Sequence, residues 1–432
     1  MTLTKTTTDW TFREIKTNEY THGFHQYPAR MHPEIAKRLI QKYATNSKHV
    51  VFDPFMGSGG VLVEAKVHGN NSIGIDINPF AVLLSKVKTT PLDTKKLQTQ
   101  FDKIITKSKQ DFDSGVNYDN APKDLNLPFW YQQESIQKLQ ILKHHVFKIT
   151  DKDIRDFFSL CFTFTTRRVS FQKNSIYKIY RMKPEVRDIF KPQPFDMFSK
   201  ICTINISKMA DFSKVAKNVN AFTILGDTRN ASKHFAALPS KILDGGKAHL
   251  VVTSPPYGDH GTTVAYGQFS KHPGMWLELP EQEELRSVDS VGLGGKKKTE
   301  FRELESTLLD KTLKIIGKKD KEIEKKTNLA DRQGDVYAFF FDLDDCFDRI
   351  SKVLKPGSSH CCFVVANRKV RRQTVPMDEI IIELAKKYGF KYKETLHRTI
   401  ANKAMATKNT PENIPDYADS TMNEESIVVW KF

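Results

Sequence analysis

The feature that most constrains this chain is a short apolar run that ends in a glycine-rich turn. His49 to Phe52 reads as a strand and runs straight into Asp53-Pro54-Phe55-Met56-Gly57-Ser58-Gly59-Gly60. Val61 to His68 then reads as a helix closed by Gly69, Ser72 to Ile77 as a second strand, and Pro79 to Val87 as a second helix. Strand, glycine turn, helix, strand, acidic residue is the order of half an open, parallel, nucleotide-binding α/β sheet. Glycines at such a turn let the backbone approach a ligand closely, and the start of the helix offers free N–H groups. The alternative is a tight turn in a cofactor-free α/β domain. The strand context and the acid on the second strand weigh against it.

This turn lacks the Lys-Ser/Thr pair of a phosphate loop. An acid, Asp53, stands at the strand tip instead. A carboxylate there repels pyrophosphate and attracts an ammonium. Asp76 ends the next strand, where ribose hydroxyls are commonly held. Asp227 follows another strand, Ala221 to Leu225, and is placed to accept from an adenine amine. Together the three acids describe a ligand with an amino-acid end, a ribose and an adenine. S-adenosyl-L-methionine fits that description better than a dinucleotide does.

Ala248 to Val252 is a further strand, and it leads into Thr253-Ser254-Pro255-Pro256-Tyr257. Two prolines remove two N–H donors and stiffen the chain, which frees the carbonyl between them to accept. Ser254 adds a polar contact and Tyr257 an aromatic face. Acceptors beside a stacking surface suit a planar base with an exocyclic amine. Hydrogen bonds to the amine protons would aim the nitrogen lone pair at a methyl donor, so that alignment does most of the work. Alone, the motif also reads as a Pro-Pro turn that ends a strand.

The remaining pattern completes a sheet with two interruptions. Pro33 opens a helix over Glu34 to Tyr43. Tyr337 to Val353 is a helix, His360 to Ala366 a strand, Met377 to Tyr388 a helix, and Tyr392 to Thr399 and Ser426 to Lys431 are strands. We divide the chain into residues 1–90, a mainly helical insert at 91–220, and residues 221–432 with a second insert at 260–334. The first insert carries 23 Lys+Arg against 14 Asp+Glu, more than half of the chain's formal net charge of +16, while residues 260–335 carry 14 of each. A polyanionic partner is therefore expected at the first insert. Its densest part, Thr163 to Lys183, interleaves Arg167, Arg168, Lys173, Lys178 and Arg181 with Phe164, Phe171, Tyr177 and Tyr180. That stretch reads as a phosphate-contacting surface or as a basic helix with core aromatics. The loop from His260 to Gln268 reads as a cover for a flipped base or as an ordinary surface loop. The Lys/Glu alternation near Lys318 to Lys326 reads as a solvated helix face.

Composition excludes several classes. At 39% hydrophobic and 27% charged, the 432-residue chain is too apolar for disorder. Its longest apolar runs, Val336 to Phe341 and Cys361 to Ala366, are far too short to span a membrane. Met1 to Lys16 is Thr-rich with no apolar signal segment, so a cytoplasmic location is expected. Five cysteines without metal-type spacing suit a reducing compartment. His22, His25 and His32 lie close in sequence, but no neighbouring Cys or acid completes a zinc set, so no metal is expected. No cysteine follows a proline, which removes the nucleophile of ring-carbon cytosine methylation.

The glycine turn and Thr253-Ser254-Pro255-Pro256-Tyr257 together resemble the amino-methyltransferase family of DNA methyltransferases, with the Ser-Pro-Pro-Tyr form resembling its cytosine-N4 branch. His25-Gln26-Tyr27-Pro28-Ala29-Arg30 resembles the segment that caps the methionine end of the cofactor. The resemblance implies a Rossmann-like, seven-stranded α/β sheet, mostly parallel with the last strand antiparallel, carrying the two inserts. It implies S-adenosylmethionine bound by Tyr27, Pro28, Asp53, Pro54, Phe55, Gly57, Gly59, Asp76, Ile77, Asp227 and Thr228. The target base would then meet Ser254, Pro255, Pro256 and Tyr257. It further implies double-stranded DNA as partner, and a cognate restriction endonuclease encoded nearby. Adenine-N6 methylation of DNA and guanine-N2 methylation of tRNA or rRNA are the alternatives. The cofactor half precedes the catalytic half here, whereas many cytosine-N4 enzymes run the other way.

Overall fold

Alternating apolar residues bury both faces of one central sheet. In the computed structural model, residues 9–174, 176–240, 242–243, 245–258, 264–279, 288–327, 331–400, 408–409, 419–420 and 424–432 are described. The strands are β1 (Val51–Asp53), β2 (Ser72–Asp76), β3 (Ala221–Leu225), β4 (Leu250–Thr253), β5 (His360–Val365), β6 (Lys391–Thr399) and β7 (Glu424–Lys431). They lie in the order β3-β2-β1-β4-β5-β7-β6. The first five are mutually parallel, and β7 runs antiparallel to both β5 and β6. The expected seven-stranded sheet with an antiparallel last strand is present. A short antiparallel pair, Arg368–Val370 with Gln373–Val375, was not foreseen.

Successive strand residues face opposite sides. Phe52, Val251, Phe363 and Trp430 join one buried cluster. Val51, Val252, Cys362 and Val429 join another. Cys361 and Cys362, adjacent in sequence, therefore sit in different cores and cannot pair. Each fully buried Phe or Val contributes about 1.5–3 kcal/mol.

Helices α1 (Pro33–Tyr43) and α2 (Gly60–His68) cover one face, and α3 (Pro79–Thr89) begins a third cluster. His32 and Asn78 cap α1 and α3 from the side chain, each followed by Pro at the first helical position. In the first insert, α4 (Thr94–Asp113), α5 (Gln133–Phe147), α6 (Lys152–Arg168) and α7 (Pro194–Val215) share one core with α3. So does α8 (Tyr266–Leu277), which belongs to the second insert. Far from being a surface excursion, α8 packs on α3 and α6. The charged helix α9 (Thr307–Thr327) and α10 (Arg332–Val353) lie on the other face. Among the described residues no helix is long and apolar enough to cross a membrane.

Candidate active site

The carboxyl ends of β1 to β4 open into one crevice, and the strand order reverses between β1 and β4. Ligands of open α/β sheets bind at such a switch point. Asp53 at the tip of β1 and Ser254 just past β4 stand on its two sides.

Two glycines make the turn possible. Gly57 and Gly59 have φ of +46° and +71°, where other residues are strained. A Cβ on Gly59 would lie 2.6 Å from Ser85 Oγ. Buried groups then hold the turn. Ser85 Oγ donates to the Gly57 carbonyl at 2.9 Å, Lys88 Nζ donates to the Ser58 carbonyl at 2.5 Å, and Gly57 N donates to Asp76 Oδ2 at 2.8 Å.

Most of the expected cofactor residues line this crevice. Tyr27, Pro28, Asp53, Pro54, Phe55 and Gly57 form one wall. Asp76, Ile77, Asp227 and Thr228 line the crevice as well, as do Ser254 and Pro256. Gly59 does not line it; it supports the turn from behind. Nor do Pro255 and Tyr257, although Tyr257 Oη accepts from Ser254 Oγ at 3.1 Å.

Burial dominates the electrostatics. It raises Asp53 from 3.8 to about 7 and Asp76 to about 6. Thr253 Oγ1 donates to Asp53 at 2.6 Å and Phe55 N at 3.2 Å. Among the described residues, no cationic side chain pairs with either acid. Two desolvated carboxylates without a cation, set among aromatic and apolar walls, suit a ligand that brings its own positive charge and hydroxyls. Asp227 differs, since Arg229 engages both its oxygens at 2.5–3.0 Å. Arg229 also donates to Asp342 Oδ1 at 2.7 Å and to the Val291 carbonyl at 2.9 Å, which ties the third strand to residues 288–293 of the wall.

The sequence reading missed several wall residues. Asn78 Nδ2 donates to Ser270 Oγ at 2.7 Å and to Tyr27 Oη at 3.3 Å, clamping α3, α8 and the N-terminal segment together. Tyr266, Val264, Val288, Asp289, Val291, Gly292 and Leu293 come from the second insert. Of the loop expected to cover a flipped base, His260 to Thr263 lie outside the described residues; Val264 and Tyr266 do reach the crevice.

The basic stretch divides by burial. Residues 171–173 pair antiparallel with 180–182 in a small hairpin, with Lys173 N donating to the Tyr180 carbonyl at 2.8 Å and Met182 N to that of Phe171 at 2.7 Å. Lys173 and Lys178 are exposed on it, as are Tyr177 and Tyr180. Arg168 lies over Phe164 and Arg181 over Phe129. Arg167 is a correction: it is only 2% exposed and cannot meet phosphate. Its Nη1 donates to Gln172 Oε1 at 3.2 Å and its Nη2 to the Ile176 carbonyl at 2.7 Å, so it is the strut beneath the hairpin.

The histidines of the N-terminal segment are occupied structurally. His22 Nε2 bonds Glu64 Oε1 at 2.8 Å, an acid the sequence reading did not place there, and His32 caps α1. His25 Nδ1 meets the Gln26 carbonyl at 2.6 Å, and burial lowers its pKa to about 3. Among the described residues no group of His, Cys, Asp and Glu is arranged to hold a metal ion.

Residues 2–87 match the DNA methylase family of N6- and N4-methylating enzymes. The chain is similar to Type II methyltransferase M.MvaI of Kocuria varians, at 34% identity over 97% of this chain and 93% of that protein. A stretch of 26% of the chain is 33% identical to 21% of Type II methyltransferase M.MjaII of Methanocaldococcus jannaschii. Among solved structures, the rRNA methyltransferase aviRa from Streptomyces viridochromogenes aligns over 94% of this chain and 88% of its own, at 9% identity and a TM-score of 0.30.

Proposed function

Because the chain belongs to the Type II DNA amino-methyltransferases, we propose that it methylates the exocyclic N4 amine of cytosine in duplex DNA, using S-adenosylmethionine. We further propose that it serves as the modification half of a restriction–modification system. The carrying observation is that Asp53, at the tip of β1, and Ser254, just past β4, both line the crevice at the switch point between those two strands. The cofactor, when bound, supplies an activated methyl group on a sulfonium. Asp53 would hold its ammonium and Asp76 its ribose hydroxyls. The duplex hides the target amine, so the base must be rotated into the crevice. There Ser254 and the proline carbonyl accept from the amine, and alignment does the rest.

Product analysis decides the target. Incubation with labelled S-adenosylmethionine and either DNA or RNA, followed by digestion to nucleosides, is expected to yield N4-methylcytosine from DNA. N6-methyladenine, or label in RNA, would overturn the cytosine reading.

The exposed hairpin lysines are the proposed phosphate contacts. Changing Lys173 and Lys178 together to Ala is expected to lower the slope of log affinity against log salt by about 1–2. Arg167→Ala is expected to lower the melting temperature instead, since it strands buried hydrogen-bond partners. A salt slope unchanged in the lysine variant would remove the hairpin from the DNA interface.

A further inference from the structure

We propose that Glu425, acting through Tyr257, fixes the direction of the Ser254 hydroxyl, so that Ser254 offers the target base a lone pair rather than a proton. Glu425 is a positioning residue in this scheme and rests on the amine reading above.

The geometry is a chain of four side chains. Ser254 Oγ donates to Tyr257 Oη at 3.1 Å. Tyr257 Oη donates to Glu425 Oε1 at 2.9 Å. Arg398 Nη1 donates to Glu425 Oε2 at 2.7 Å, and Arg398 Nε to the Trp10 carbonyl at 3.0 Å. Glu425 and Arg398 stand directly opposite each other on the antiparallel strands β7 and β6. Arg398 is buried and lies over the Phe12 ring.

A serine hydroxyl has one proton and two lone pairs, so on its own it can donate or accept. The chain removes that freedom one link at a time. Glu425, paired with a permanently charged guanidinium, can only accept. Tyr257 keeps its proton, because burial and the neighbouring Glu425 both push its pKa well up. That proton goes to Glu425, which leaves the tyrosine oxygen to accept from Ser254. The one Ser254 proton is thereby committed away from the crevice, and its lone pairs face a base whose edge carries N–H donors. A base with a carbonyl at that position would meet acceptor against acceptor. The device separates cytosine from uracil or thymine, whose ring edges differ there by amine against carbonyl.

The test uses the whole protein and a duplex carrying the methylation site once product sequencing has mapped it, with either cytosine or uracil at the target position. Wild-type protein is expected to bind the cytosine duplex more tightly. In Glu425→Gln, Arg398 claims the amide oxygen and the amide N–H points at Tyr257. The chain then reverses, and Ser254 is driven to donate. The cytosine preference is expected to fall at least about fivefold, and turnover with it, while the dissociation constant for S-adenosylmethionine stays within about twofold. Tyr257→Phe keeps the ring and removes only the link, so its preference is expected to fall between the two. Retention of the full preference by either variant overturns the proposal. Absence of any preference in the wild-type protein instead overturns the amine reading on which it rests.

Discussion

Asp53→Asn is expected to weaken S-adenosylmethionine binding by about ten- to a hundredfold and, at pH 8, to raise the melting temperature of the free protein. The two effects share one cause. Asp53 is buried without a cationic partner, and burial lifts its pKa from 3.8 to about 7. The unfolded chain loses that proton near pH 4, the folded protein only near pH 7. Stability therefore falls as pH rises across this window, and above it the protein carries the full cost of a desolvated carboxylate. Asn keeps the oxygen that accepts from Thr253 Oγ1 and Phe55 N and removes the charge. The gain in melting temperature should thus be present at pH 8 and shrink on acidification toward pH 4. Binding runs the other way. A cationic ligand is held by the ionised acid, so wild-type affinity should rise between pH 6 and pH 8, and most of that rise should vanish in the variant. Asp76, raised to about 6, adds the same sign in a lower window and leaves some pH dependence behind. Calorimetric titration and thermal melts at pH 5 and 8 check both halves. A variant less stable than wild type at pH 8 would show that Asp53 is a structural acid.

How much of this site could be read from the residues follows from the range of each interaction. Asp53, the glycines, Asp76 and the Ser254 motif were legible because each stands at a strand tip, and a short apolar run followed by a turn marks that position locally. Tyr266 and Asn78 were not, because Asn78 meets Ser270 across 192 residues of chain. Glu425 was not, because it reaches Tyr257 across 168 residues and carries no local mark. Arg167 misled for a different reason. It lies in the last turn of a helix, Lys152–Arg168, whose residues from Phe157 to Thr163 are all buried, so the helix is enclosed instead of amphipathic. Composition read its end as surface; packing placed it inside.

The second large effect belongs to the other side of the switch point. Ser254→Ala is expected to reduce methyl transfer to DNA by about a hundredfold or more while leaving S-adenosylmethionine affinity within about twofold. Ser254 lines the crevice from the end of β4, and among the described residues its hydrogen bond runs to Tyr257 and not to the turn that would hold the methionine end. Its removal also releases Tyr257 from one partner while the Tyr257–Glu425 bond persists, so the surrounding packing changes little. The loss should fall on kcat, because the amine is held most tightly as its nitrogen lone pair is directed at the methyl group. Single-turnover assays at saturating cofactor isolate that step. Paired with Asp53→Asn, which should respond chiefly through cofactor affinity, the result divides the crevice into two halves of separate function. A Ser254→Ala protein with normal single-turnover rates would place the amine contact elsewhere, and the carbonyl between Pro255 and Pro256 would then be the acceptor that remains.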